Sequence, residues 1–212
     1  MTRLCIILAF AVAMTGYAAP QTNQWTKEWT PLFDGKTLTN WKITDFAGHG
    51  EVTVDDGQLK IAMGAEMSGI TWTNGPLPRT KYEISLYAKK VDGSDFFCGL
   101  TFPVADSACS LILGGWGGGI VGLSSLDDAD ASENETTRSM SFDKDHWYHI
   151  VLRVTPDKIL VTLDDKKLID ESIVGKKVSL RPGAIYLSEP FGIATYETTS
   201  ALKDFKLRLI EN

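Results

Sequence analysis

The chain has 212 residues, 43% hydrophobic and 23% charged, a balance that excludes wholesale disorder and suits one large domain. Twenty-one Lys and Arg stand against 27 Asp and Glu, for a net charge of -6. No basic block stands out, so the electrostatic footprint of a nucleic-acid binder is missing.

The N-terminus reads as an address. Arg3 precedes an apolar run over 4–14 that is too short to span a membrane. Gly16 and Ala18 place small residues at the −3 and −1 positions of a signal-peptidase site. The expectation is a signal peptide over 1–18, a domain over 19–212, and a secreted or periplasmic protein with no membrane span in its mature form. A lipoprotein is rejected, because Cys5 lies inside the apolar run rather than after it.

Beyond Pro20 the pattern is strand and turn. Predicted strands lie at 41–46, 51–54, 58–63, 69–73, 81–91, 96–104, 109–113 and 119–124. Others follow at 147–154, 159–163, 166–170, 184–187 and 201–210. Asp55-Asp56-Gly57 and Asp164-Asp165 are hairpin turns between them. Tyr82, Ile84, Leu86 and Ala88 alternate onto one face, as do Tyr148, Ile150, Leu152 and Val154. No segment of helical period interrupts these strands. The fold class this implies is all-β, a single-domain sandwich of two antiparallel sheets. Cys98 and Cys109 fall in one hairpin whose register sets Cys109 opposite about Val104, so they form a bridge only in another register, or remain two buried thiols.

Candidate chemistry concentrates between Leu113 and Arg138. Five glycines surround Trp116, which either stacks on a sugar ring or plugs the end of the core. The loop lacks the Lys-Ser/Thr ending of a phosphate loop. On a strand, Glu133 and Glu135 share one face and suit an acid/base pair; with Asp127 they also suit a calcium site, and as a solvated acidic turn they do neither. Asn134 and Arg138 point the other way and suit recognition of hydroxyls. Asn134-Glu135-Thr136 is formally a glycosylation sequon. His49, beside Glu51 in a glycine-flanked loop, suits a base or a metal ligand, or is simply a loop residue. His146 and His149 read as structural, and Glu189 sits in a tight loop ahead of Pro190. No Ser-His-Asp triad and no His-Glu-x-x-His motif has support.

Leu32-Phe33-Asp34-Gly35-Lys36-Thr37-Leu38 followed by Trp41 resembles the opening signature of the 3-keto-disaccharide hydrolase (3-keto-glucoside lyase/hydratase) domain family. The 50–61 hairpin, the His146-Trp147-Tyr148 to Asp165 stretch, and the stretch from Phe191-Gly192-Ile193 to Phe205-Lys206-Leu207-Arg208 resemble further parts of those domains. The resemblance implies a concanavalin- or laminin-G-like jelly roll, and a carbohydrate substrate oxidised at C3. It also implies a general base, for which Glu135, Glu133 and His49 are the catalytic candidates. Trp116, Asn134, Arg138 and Glu189 are the candidates for holding the sugar. No cofactor is required outright, though a divalent metal, calcium or a transition metal, is one way to polarise the ketone; Arg138 is the other. The Glu133-Asn134-Glu135 fragment departs from the Glu-x-Asp-x-x-Glu strand of family 16 glycanases, with Arg138 where the second Glu would stand. A non-catalytic carbohydrate-binding or adhesion module on the same fold is the competing expectation.

Overall fold

A computed structural model describes residues 25–211, so the signal peptide expected over 1–18 lies outside the described residues. The strands form two antiparallel sheets packed face to face. The larger runs β13(Lys166–Ser172)-β12(Lys158–Leu163)-β11(Tyr148–Val154)-β6(Tyr82–Gly93)-β15(Thr198–Leu209)-β4(Gln58–Ile61)-β3(Val52–Asp55), with β1(Thr30–Pro31) also paired to β15. The smaller runs β10(Arg138–Ser139)-β9(Ile120–Ser124)-β8(Ser107–Gly114)-β7(Cys98–Val104)-β14(Gly192–Tyr196)-β5(Met67–Trp72)-β2(Trp41–Ile43).

Alternation places the core where expected. Tyr82, Ile84, Leu86 and Ala88 of β6 pair with Val154, Leu152, Ile150 and Tyr148 of β11, and these face Leu100, Leu111, Leu123 and Ile193 of the smaller sheet. An aromatic knot closes one end: Trp41 meets Trp72, Phe191 and Phe205 at ring separations of 5.3, 5.3 and 5.9 Å, and its indole N–H donates to Leu32 O. In the opening signature, Asp34 accepts from the Lys36 and Thr37 amides, which holds its carboxyl below the usual range. The signature thus folds a turn and supplies core, through Leu32 and Phe33.

Three expectations need correction. Ala184–Ser188, expected as a strand, is a 3-10 helix. β14, a central strand of the smaller sheet, was not expected. The register of the Cys hairpin sets Cys109 opposite Phe102 and Cys98 opposite Leu113. Both thiols are free and fully buried, and burial pushes each up to about 12.

Candidate functional site

The outward positions of the smaller sheet carry small side chains. Thr101, Ser110 and Ser124 stand in one row across β7, β8 and β9. Ile112, Gly99, Ala194 and Gly69 stand in the next, and Tyr196 pairs with Met67 at the margin. Such a surface lets a loop lie directly on the backbone. The connection from β13 to β14 does so.

It is pinned by main-chain bonds between Ser125 and Ser179, by Asp127 N–H to Lys177 O, and by the Thr71 hydroxyl donating to Leu187 O. Leu180 and Ile185 bury themselves against Phe46, Ala108 and Ala194 in a second, smaller apolar cluster. The fit depends on Gly192, where a Cβ would lie 2.8 Å from Ser188 O and 2.9 Å from Ile70 O.

Between this strap and the glycine loop lies a cavity of about 450 Å³. Ser110, Ser124 and Ile112 form its floor, and Trp116, Arg181, Asp130, Asp95, Glu66 and Tyr196 form its walls. Trp116 sits in a four-residue turn, Gly115–Gly118, with left-handed backbone at Trp116 (φ 49°) and Gly117 (φ 81°). Asp95 braces that turn by accepting from Gly117 N–H at 2.7 Å and from Phe96 N–H at 2.8 Å. The indole is 40% exposed, so it does not plug the core; it borders the cavity.

Opposite it, Asp130 accepts from the Ser124 hydroxyl at 2.5 Å and the Ala131 amide, and pairs with Arg181 at 3.0 Å. The Arg181 guanidinium lies 5.7 Å from the Trp116 ring centre, so strap and glycine loop meet through one cation. At the other wall the Glu66 carboxylate holds the Tyr196 phenol above its ordinary range, helped by burial, Glu197 and Asp95 and opposed by Arg181.

The residues expected to act between Glu133 and Arg138 are placed differently. Residues 131–136 are turns rather than strand, so Glu133 and Glu135 do not share a strand face. The cause is Asn134, which is buried and donates to the carbonyls of Leu123, Ala129 and Asp130 while accepting from the Thr136 amide and hydroxyl. Its amide is spent on the loop and has nothing left for a sugar hydroxyl. Glu135 is paired with Lys176, and Arg138 donates to the carbonyls of Glu135 and Thr137. Glu133, Glu135, Arg138, His49 and Glu189 are exposed and do not line the cavity. Asp127 accepts from the Lys177 amide, and among the described residues no three His, Cys, Asp or Glu side chains are grouped to hold a metal ion. The calcium or transition-metal site that stood as one alternative therefore has no donor set among them.

Sequence reading missed Glu66, Asp95, Asp130, Arg181 and Tyr196. Of the wall residues, only Asp130 and Trp116 fall in the stretch that stood out; Glu66 and Asp95 lie in bends ahead of β5 and β7, Tyr196 ends β14 and Arg181 is on the strap, and no local spacing joins them.

The fold is a two-sheet jelly roll with a lined cavity on one outer face. Structures of similar fold include the carbohydrate-binding module CBM66 from Bacillus subtilis, 14% identical, TM-score 0.55, covering 80% of this chain and 95% of that one. Domain 4 of the arabinanase AbnA from Geobacillus stearothermophilus, solved with arabinotriose, is 12% identical, TM-score 0.52, covering 80% and 82%. The Crh5 transglycosylase is 10% identical, TM-score 0.53, covering 83% and 80%. No curated protein matches the sequence. The family profile described as the 3-keto-alpha-glucoside-1,2-lyase-like domain matches residues 28–208, and the chain belongs to that family.

Proposed function

We propose that this is an exported protein that binds a 3-keto-glycoside in the cavity beneath the strap and eliminates its aglycone. The observation that carries this reading is the convergence on one cavity of a half-exposed indole, a cation and several carboxylates. The family supports the substrate class.

A ketone at C3 acidifies the C2 proton. Glu66, an exposed carboxylate on the wall, takes that proton as general base. Negative charge then develops on the C3 oxygen, and Arg181 is the cation available to stabilise it. The C2–H electron pair forms the C1–C2 double bond as the C1–O bond breaks. Tyr196, the phenol on the same wall, supplies the proton to the departing aglycone oxygen, and protonation of Glu66 removes the charge that held that proton most tightly. Water can add to the resulting enone afterwards. Trp116 offers the sugar ring a stacking face. Asp95 and Asp130 act by holding the indole loop and Arg181 in place.

Incubation with a 3-keto-glucoside and with its unoxidised parent, each with and without a chelator, tests the reading by release of aglycone. Release from the keto substrate alone is expected; release from both, or from neither, overturns it. A binding module is the second reading, favoured by one observation: Asp95 is already committed to the indole turn, and Asp130 and Arg181 to each other. It takes over if neutral sugars bind, Trp116→Ala abolishes that binding, and no turnover appears.

A further inference from the structure

The outer face of the larger sheet is built differently, and the cavity reading does not use it. Registry sets Glu83, Ser85 and Tyr87 of β6 beside Arg153, Val151 and His149 of β11, and beside Arg208, Lys206 and Lys203 of β15. All these side chains leave the sheet on the side away from the core, because Tyr82, Ile84, Leu86 and Ala88 occupy the other.

Three aromatic rings lift the cations. The Lys203 ammonium lies 4.4 Å from the Trp147 ring centre and 5.6 Å from that of Tyr87. The Lys89 ammonium lies 4.9 Å from the Trp147 ring centre as well. Trp29 holds Lys206 at 5.2 Å and Arg208 at 4.4 Å. Lys203 and Lys206 form no ion pair with any described carboxylate; their partners are rings.

All but one of the acids named here are committed to a neighbour. Glu83, buried beneath the arginines, gives one oxygen to Arg153 and the other to Arg208, each at 2.6 Å from a terminal nitrogen. Asp145 lies 3.7 Å from Lys89. Asp164 and Asp165 stand beside His146 and His149, each at 3.9 Å, Asp170 is shared by Lys158 and Lys167, and Asp204 is exposed on the bulge between Lys203 and Lys206. The cations thus form a track along β15, interrupted by Asp204 alone, with the other acids beneath it or at its margins.

We propose that this track binds the chain of an acidic polysaccharide, carboxylated or sulfated. From Lys203 to Arg208 the strand runs on the order of 15 Å, enough for several sugar rings in extension. A ring under each ammonium holds it clear of the sheet, where it meets a carboxylate or sulfate without first breaking an ion pair. The overall charge of -6 and the flanking Asp145, Asp164, Asp165 and Asp170 oppose a duplex or a membrane, which would cover track and margin together. A single thin chain lies on the track alone.

The test is affinity electrophoresis of the mature protein in gels carrying polygalacturonate, dextran sulfate or neutral dextran, with duplex DNA and phosphatidylserine vesicles as competitors. Retardation by one or both acidic polymers and not by dextran is expected, weakening as salt rises. The two acidic gels separate carboxylate from sulfate. The double variant Lys203→Gln/Lys206→Gln should weaken retention about tenfold, and Trp116→Ala should leave it unchanged. A circular-dichroism melt confirms that both variants are folded. No retardation, retention that survives the double variant, or displacement by DNA or vesicles as effective as by free polymer overturns the proposal. Because Trp116→Ala separates the two faces, failure here leaves the cavity reading standing, and the reverse.

Discussion

The two outer faces of this sandwich begin from the same architecture and diverge in side-chain size. On the smaller sheet most outward positions are Gly, Ala, Ser and Thr, with Ile112, Met67 and Tyr196 the larger exceptions, so a strap can seat itself on the backbone and enclose a cavity. On the larger sheet they are Lys, Arg, Tyr and Glu, and these satisfy one another in place, through ring–cation contacts and a two-arginine carboxylate. One face makes a site by being covered, the other a surface by staying bare. The difference shows that the outward half of each strand, silent in deciding the fold, decides what kind of ligand a face can meet.

The largest test of this contrast is Glu66→Gln. On the base assignment it lowers turnover by about 10²- to 10⁴-fold while sugar binding persists. It also lowers the alkaline titration midpoint of Tyr196, because the carboxylate that holds the phenol up is gone. Ultraviolet difference titration reads the second effect, and a midpoint that does not move breaks the Glu66–Tyr196 pairing whatever happens to turnover.

On the other face, Glu83→Ala leaves Arg153 and Arg208 crowded without their counter-charge. The arginines keep partial access to water, so the expected loss is about 1–3 kcal/mol rather than the full cost of a buried orphan charge. Urea unfolding checks it; an unchanged midpoint would mean the triad contributes nothing to stability.

Trp116→Ala sharpens the comparison at smaller scale. Loss of one stacking face should weaken sugar binding by about 1 kcal/mol, near fivefold, with no change in melting temperature, because the ring is not core. Isothermal titration resolves this, and a destabilised fold would instead make Trp116 a structural residue.

A last effect, silent at neutral pH and felt only in alkali, concerns the core shared by both faces. Cys98 and Cys109 ionise near 9 when unfolded but only at about 12 when folded. The folded state therefore holds their protons more tightly, and the stability tied to them is complete below pH 9 and lost as pH rises toward 12. Exchanging both for Ala should flatten the alkaline limb of a pH–stability curve, at some cost in packing at neutral pH.

How much of this was legible follows from the physics of each segment. β6 and β11 alternate because one face is core and the other meets water, so their registers and inward residues are plain in the sequence. β14 is buried on both faces and shows no alternation, and it escaped notice. Residues 184–187 carry strand-like apolar residues, yet they cross the sheet as a 3-10 helix because Ile185 alone needs burial. Trp116 stood out because its glycines are consecutive. Asp130, Arg181, Glu66 and Tyr196 are assembled by topology over more than a hundred residues of chain, which no local pattern encodes. Asn134 looked like a ligand-binding amide because its type and spacing are the same as those of a residue that locks a turn.

The strap has an evolutionary consequence. One wall of the cavity comes from a connection rather than from either sheet, joined to its surroundings by a few main-chain bonds and two apolar side chains. Lengthening such a connection is cheap, about 0.6 kcal/mol for each doubling. Cavity size can therefore change through insertions in the strap while the sheets, their registers and the aromatic knot stay as they are. On this scaffold a longer or shorter surface segment resizes the cavity, and the framework beneath it has no need to change.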